Sequence, residues 1–272
     1  MSRWRPTPWT ALVWVVAVVY GFMFGPIAIT AAVSFNSVEQ SRFPPVGLSL
    51  RWWHGVLDPQ WLEPLQFSLE LATVSAIAAT LMGLPLAFAL ARHRFPGRDT
   101  LAMLALSPLM LPALVTGIGL LQLLELAGLG DLLGLPALVI GHVVICLPFV
   151  VRTITISLGG VSRRVEEAAR SLGATNRVVL FEVTFPLIKS GLFSGATFAF
   201  IQSFTDYSMS LFLTSPADRP ITIAILNYIE YGFTPTLAAV AVVTLLIPLV
   251  LLLIVQRYFR VADFIQGSAP HG

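Results

Sequence analysis

Charge is what this chain has least of. Only 11% of its 272 residues are Asp, Glu, Lys or Arg, against 56% hydrophobic, and mean hydropathy is +0.84. A soluble domain carries about 25% charged residues. So sparse a supply excludes a water-soluble globular protein and places the chain in a lipid bilayer. Lysine is almost missing: fifteen of the sixteen basic residues are Arg, and Lys189 is the exception. The single cysteine, Cys146, excludes a disulfide framework or thiolate metal site and reads as a small packing residue. The four histidines, His54, His93, His142 and His271, are scattered and form no His-Glu-x-x-His pair, so no metal site is expected. His142, within an apolar run, reads as a hydrogen-bonded packing residue. Basic residues are not gathered on one polar face, which argues against nucleic acid as a partner despite a pI near 9.0. Lys189-Ser190 lacks the glycines of a phosphate-cradling loop, and no paired catalytic groups share one membrane depth. These absences exclude an enzyme with catalytic residues or a cofactor of its own.

What is present is hydrophobic length. A bilayer-crossing helix needs about 20 apolar residues, and six stretches supply them: 9–35, 65–91, 101–127, 135–158, 187–213 and 236–255. The fold class is therefore all-α integral membrane with six transmembrane helices. It is read as a single domain over 1–272, with a core at 65–260 and an extra N-terminal helix at 9–35. A secretory signal ending at Ala32–Val33–Ser34 is the alternative for the first stretch, but its apolar run exceeds the 7–15 residues of a signal core. With the N-terminus inside, thirteen basic residues fall on inner segments and three (Arg42, Arg51 and Arg219) on outer ones. That asymmetry places both termini in the cytoplasm. The outer segment 36–64 carries Trp52, Trp53 and Trp61, suited to the membrane interface.

One polar interruption stands out on the inner side, between the fourth and fifth stretches: SRRVEEAARSLGATNRVVLFEVTFP, residues 162–186. Ser162 can cap a helix whose first turns carry Glu166 and Glu167, favourable beside the positive helix end. Gly173 falls where a helix stops on a left-handed residue. Thr175 or Asn176 can then start a second short helix through Val183, with Pro186 opening the fifth span. Ala168, Ala169, Gly173 and Ala174 offer a small-residue surface that a partner's backbone could approach. Two readings fit: a docking surface for a cytoplasmic partner, or an amphipathic hairpin whose arginines face anionic lipid.

The pattern Glu-Ala-Ala, three residues, Gly, nine residues, Ile-x-Leu-Pro marks the permease subunits of binding-protein-dependent ABC importers. This chain resembles it at Glu167-Ala168-Ala169, Gly173 and Val183-Thr184-Phe185-Pro186, with Val183 for Ile and Phe185 for Leu. The resemblance implies a type I importer permease fold with a coupling helix that inserts into a cleft of an ATP-hydrolysing subunit. Glu167 would be the polar contact or anchor and Gly173 the turn. It also implies a bacterial inner-membrane location and three partners: an ATPase subunit dimer that binds ATP and Mg, a second permease subunit, and a periplasmic or extracellular solute-binding protein. Further segments look like the spermidine/putrescine branch: Ser34–Ser37 (SFNS), Arg92-His93-Arg94-Phe95, Leu147-Pro148-Phe149-Val150 and Phe204-Thr205-Asp206-Tyr207. That branch often has two adjacent acids where this chain has Thr205 and Asp206, and it includes importers of other amines, organophosphonates and ferric ions.

A carboxylate inside a span costs at least about 2.5–3.5 kcal/mol, so it faces a cavity or a partner. Asp206 is such a residue. At helical spacing Gln202, Asp206 and Ser210 share a face, which reads either as part of a translocation path or as a packing contact. Gly191, Gly195, Ala199 and Ser203, four apart, form an adjacent stripe suited to close helix packing. Glu70 and Glu125 fall near span ends. A secondary transporter is the rival class, but it calls for repeated halves with charged or broken-helix sites, and no repeat is evident.

Overall fold

The computed structural model describes residues 8–259, all helix, turn and loop apart from one isolated bridge between Asn36 and Leu48. Arg3, Arg5, Arg260 and both termini, which enter the orientation count, lie outside the described residues. The long helices are α1 (Pro8–Val33), α2 (Pro59–Arg92), α3 (Arg98–Leu106), α4 (Ala113–Leu126) and α5 (Leu135–Gly160). They are followed by α6 (Arg163–Ser171), α7 (Asn176–Thr205), α8 (Ile221–Ile229) and α9 (Pro235–Phe259). The chain divides into two compact units, one formed by the residues up to Leu62 with Ile225–Leu246, the other by Glu63–Ala224 with the residues from Ile247.

In the first unit α1 is apolar on every side and exposes Trp14 and Phe22 alike, as a lipid-surrounded span does. The SFNS segment that follows is organised by buried Asn36. Its Oδ1 accepts from the amides of Val38 and Val46, its Nδ2 donates to the carbonyls of Gln40 and Arg42, and its own carbonyl accepts from Trp52 Nε1 at 2.7 Å. All three tryptophans of 36–64 thus hold internal partners: Trp52 through this bond, Trp53 by stacking on Phe35 with centroids 5.2 Å apart, and Trp61 through an edge contact with Tyr228, centroids 5.0 Å apart.

The second unit is built around α5 packed on α7. The small-residue stripe of α7 makes the close approach: a Cβ on Gly195 would meet Thr153 Oγ1 at 2.5 Å, and one on Gly191 would meet Ser157 Cβ at 2.4 Å. Ala199 is fully buried, and its carbonyl accepts from Cys146 Sγ at 3.1 Å. Gly195→Leu should therefore wedge the pair apart, at about 1–3 kcal/mol or more. The expected result is a lower melting temperature in detergent. Gly159→Ala, which meets nothing within 4 Å, should leave melting unchanged.

Four details differ from the sequence expectation. The third stretch is not one straight span: α3 and α4 meet at 106°. Pro108 enters a tight turn at Ser107–Leu109, and Pro112, with no N–H to give and a ring that bars helical geometry at Leu111, restarts the chain as α4. The second short loop helix is only Asn176–Val178 and runs on through a wide turn into the fifth span, whose α-helical part, Phe185–Thr205, does hold Pro186 in its first turn. Helix α7 runs unbroken from Asn176, and the wide turn Val179–Thr184 lies just ahead of the proline. A proline cannot bond the carbonyl four residues back, and a π-type turn shifts the register so that this bond is not needed. Finally, the fifth span ends at Thr205 rather than Leu213, with a separate turn of helix at Ser210–Leu213. Arg152, counted above as an inner-segment residue, lies inside α5 on its exposed face.

Candidate functional site

The 162–186 loop is shaped by its own residues. Ser162 caps α6, its Oγ accepting from Arg164 N at 3.3 Å. The helix closes on Gly173, where φ is +90°. There Gly173 N donates to Arg170 O and Ala174 N to Ala169 O, at 2.9 and 3.1 Å. This paired arrangement satisfies the last carbonyls, and its left-handed residue is cheapest as glycine. Thr175 then caps α7 through Val178 N, and Arg170 Nε reaches across to Asn176 Oδ1.

Beneath the loop is a contact that no local spacing could reveal. Glu166 is buried, and its Oε1 accepts from Arg92 Nη2 at 2.8 Å. Arg92, the last residue of α2, also donates to Val161 O, and Thr184 Oγ1 lies 3.3 Å from the same carboxylate oxygen. One ion pair thus ties the end of α2, the start of α6 and the wide turn of α7. Of the two adjacent acids, Glu166 faces inward and is the anchor, while Glu167 is exposed with no side-chain partner among the described residues. Ala168 is exposed beside it and Ala169 half-buried; Gly173 and Pro186 are exposed. Val165 is 47% and Leu172 90% exposed, an apolar pair on an otherwise charged helix. Apolar groups presented this way mark contact surfaces.

A second constellation lies where α7 stops. Asp206 is extended, with ψ 133°, and its Oδ2 accepts from the backbone amides of Met209 and Ser210 at 3.0 and 3.2 Å. It thereby caps the turn Ser210–Leu213. His142, fully buried on α5, bridges the break: Nδ1 lies 2.7 Å from Ser203 Oγ and Nε2 3.0 Å from Ser210 Oγ, with Asp206 Oδ2 at 3.8 Å. The turn sits tightly against α5, since a Cβ on Gly141 would fall 2.7 Å from Leu213 Cδ1 and 2.9 Å from Met209 Cγ. Asp206 and Ser210 are therefore brought together, with His142 and Ser203 as neighbours that sequence spacing did not join to them. Gln202 is half-buried on the helix before the break and, among the described residues, shares no hydrogen bond with them. Asp218, in the loop beyond, accepts from Leu135 N at 3.0 Å and so caps α5; the SPADRP segment gives no local sign of so distant a partner. Glu70 and Glu125 are both exposed, and among the described residues no group of His, Cys, Asp or Glu could hold a metal.

The chain is similar to proteins of one class. The family model described as binding-protein-dependent transport system inner membrane component matches residues 79–261. The spermidine/putrescine transport system permease protein PotC of Escherichia coli (strain K12) is 33% identical over 245 residues, covering 89% of this chain and 91% of that protein. The putrescine transport system permease protein PotI of the same strain is 30% identical over 249 residues, covering 88% and 86%. Among solved structures, a bacterial ABC transporter involved in the import of the acidic polysaccharide alginate aligns over 95% of this chain and 99% of its own. Its TM-score is 0.71 at 17% identity, a likeness of fold alone. The all-α fold is that of ABC importer permeases, and the resemblance carried by Glu167, Gly173 and Pro186 holds. The chain belongs to the inner-membrane component family of binding-protein-dependent transport systems, whose members are multi-pass, non-catalytic permease subunits.

Proposed function

We propose that this permease subunit forms half of the translocation path of an ATP-driven importer for small cationic amines of the polyamine class. The observation that carries this reading is the 162–186 loop: capped at both ends, pinned underneath by Arg92–Glu166, and presenting Glu167, Ala168 and Leu172 outward. A rigid, protruding helix with an apolar tip suits insertion into a cleft on a soluble subunit. The excess of arginines on the same side as the loop supports a cytoplasmic position for it and for both termini. Two ATPase subunits binding ATP and Mg would dock there, a second permease chain would close the path, and a binding protein would deliver solute from outside. Nucleotide shifts the permease between states only if the docked loops contact the ATPase differently in each.

Gln202, Asp206 and Ser210 are assigned to the path. Irregular backbone at membrane depth is tolerated where it is buried in protein or lines a cavity, and broken helices form solute sites in other transporters. Asp206 supplies the anionic group at this break. Uptake of radiolabelled spermidine or putrescine into proteoliposomes should require ATP, Mg, the ATPase subunits and the binding protein together. Uptake driven by an ion gradient alone would overturn the reading. Asp206→Asn keeps an acceptor oxygen for Met209 and Ser210 but loses the charge. Uptake should fall about tenfold with assembly intact, whereas unchanged uptake would reduce Asp206 to a capping residue.

A further inference from the structure

Two arginines converge on the end of α2. Arg98 Nε donates to Leu90 O at 2.9 Å, and Arg163 Nη2 donates to Ala91 O and Arg92 O at 3.3 and 3.1 Å. The last carbonyls of a helix are unpaired and carry its negative end, so guanidinium groups are held there in fixed positions. A guanidinium has five N–H donors, and these bonds leave several of them unused. Between the two arginines opens a cavity of about 700 Å³, lined also by His93, Arg94 and Phe95. Arg94 is exposed and makes no hydrogen bond or ion pair among the described residues. The bordering acid, Asp99, is already engaged by Arg98 Nη1 at 2.9 Å. Three arginines therefore surround a space with one neutralised acid.

We propose that this cavity is a binding site for the phosphate headgroup of an anionic phospholipid, on the coupling-loop side of the membrane. The occupant is argued from what adjoins the charge. Helix α3 begins at the cavity and exposes Leu101, Met103 and Leu104 by 37%, 66% and 64%. With α4 it forms a bent pair apolar enough to enter the bilayer. A headgroup held by the arginines lays its acyl chains along those side chains, which neither a free phosphate nor an acidic protein segment would use. Basic pockets at this level of a membrane protein are suited to acidic lipid. Arg163 is at once a wall of the cavity and the first residue of α6, so a bound lipid braces the loop helix against α2 and α3. That last consequence rests on the permease reading; the headgroup site does not.

The test uses the assembled transporter, delipidated in detergent and titrated with phosphatidylglycerol or phosphatidylcholine under native mass spectrometry. Phosphatidylglycerol should be retained and phosphatidylcholine not, and Arg94→Gln should weaken retention about fivefold. Because Arg94 is exposed and makes no hydrogen bond or ion pair among the described residues, its variant should melt at the wild-type temperature. In nanodiscs, adding phosphatidylglycerol to phosphatidylcholine should raise solute-stimulated ATP hydrolysis more in the wild type than in Arg94→Gln. Equal retention of the two lipids, unchanged retention by Arg94→Gln, or competition by inorganic phosphate as strong as by the lipid would overturn the site. Retention seen only when the ATPase subunits are stripped away would overturn it too, by showing that protein covers the cavity. Lipid retention is read without transport, so a failed polyamine assay would leave this result standing.

Discussion

Glu167→Arg should abolish solute-stimulated ATP hydrolysis and uptake while leaving insertion, yield and melting unchanged. Glu167 is exposed and its side chain has no partner among the described residues, so reversing its charge removes nothing that holds the permease together. If the loop docks on an ATPase subunit, the same reversal places a long cation inside a contact that selects for a carboxylate. Like charges or unpaired ones at such a contact act against association by several kcal/mol. Gly173→Trp should also abolish both activities, by another route and with a lower melting temperature. At φ +90° any side chain strains the backbone by about 1–3 kcal/mol, and the indole projects into space that is open in the free permease. Gly173→Ala separates the two effects, since it keeps the strain and lacks the bulk, and it should retain part of the coupling. Normal uptake by both Glu167→Arg and Gly173→Trp would remove the docking assignment.

Glu166→Ala should act through stability instead. It leaves the Arg92 guanidinium, 13% exposed, with Val161 O as its remaining partner; Arg92 Nε already has none. Removing one member of a buried pair costs about 3–5 kcal/mol. The neighbouring cavity of about 450 Å³ admits water and sets the expectation at the lower end, about 3 kcal/mol. A fall in melting temperature, with weakened coupling because α6 loses its carboxylate anchor on α2 and keeps only the Arg163 bonds to it, is the expected result. The double variant Arg92→Leu, Glu166→Leu should recover much of the lost stability, since neither charge then stays buried alone. A double variant no better than Glu166→Ala would show that the ion pair is not what holds the loop.

The contrast between these neighbouring glutamates shows what could be read in advance. Ser162, Gly173 and Thr175 declare themselves in the sequence because capping is satisfied within a few residues, and each sits as its residue type predicts. The apolar stretches were equally legible, since bilayer thickness fixes their length. Which of Glu166 and Glu167 faces inward was not legible, because it depends on Arg92, 74 residues away. The end of α7 was hidden for a different reason. Asp206 accepts from amides three and four residues ahead, the same offsets that define a helical face, so a capped break and a continuous stripe leave one pattern. The 106° bend between α3 and α4 did carry a signal in Pro108 and Pro112, but membrane helices hold prolines without breaking often enough that the pair could not be decisive.

The continuity of Asn176–Thr205 has a mechanical meaning. A helix of 30 residues is about 45 Å long at 1.5 Å per residue, and this one has its foot in the polar loop and its head at the Asp206 break. It is a lever arm whose one irregularity, the wide turn Val179–Thr184 with Pro186 behind it, lies close to the foot. A tilt of about 5° at the foot displaces the head by roughly 4 Å over that length, comparable to the width of an amine group and its first water. A push delivered at the membrane surface can therefore reach the level of the break as rigid-body displacement, without passing through a chain of side-chain rearrangements.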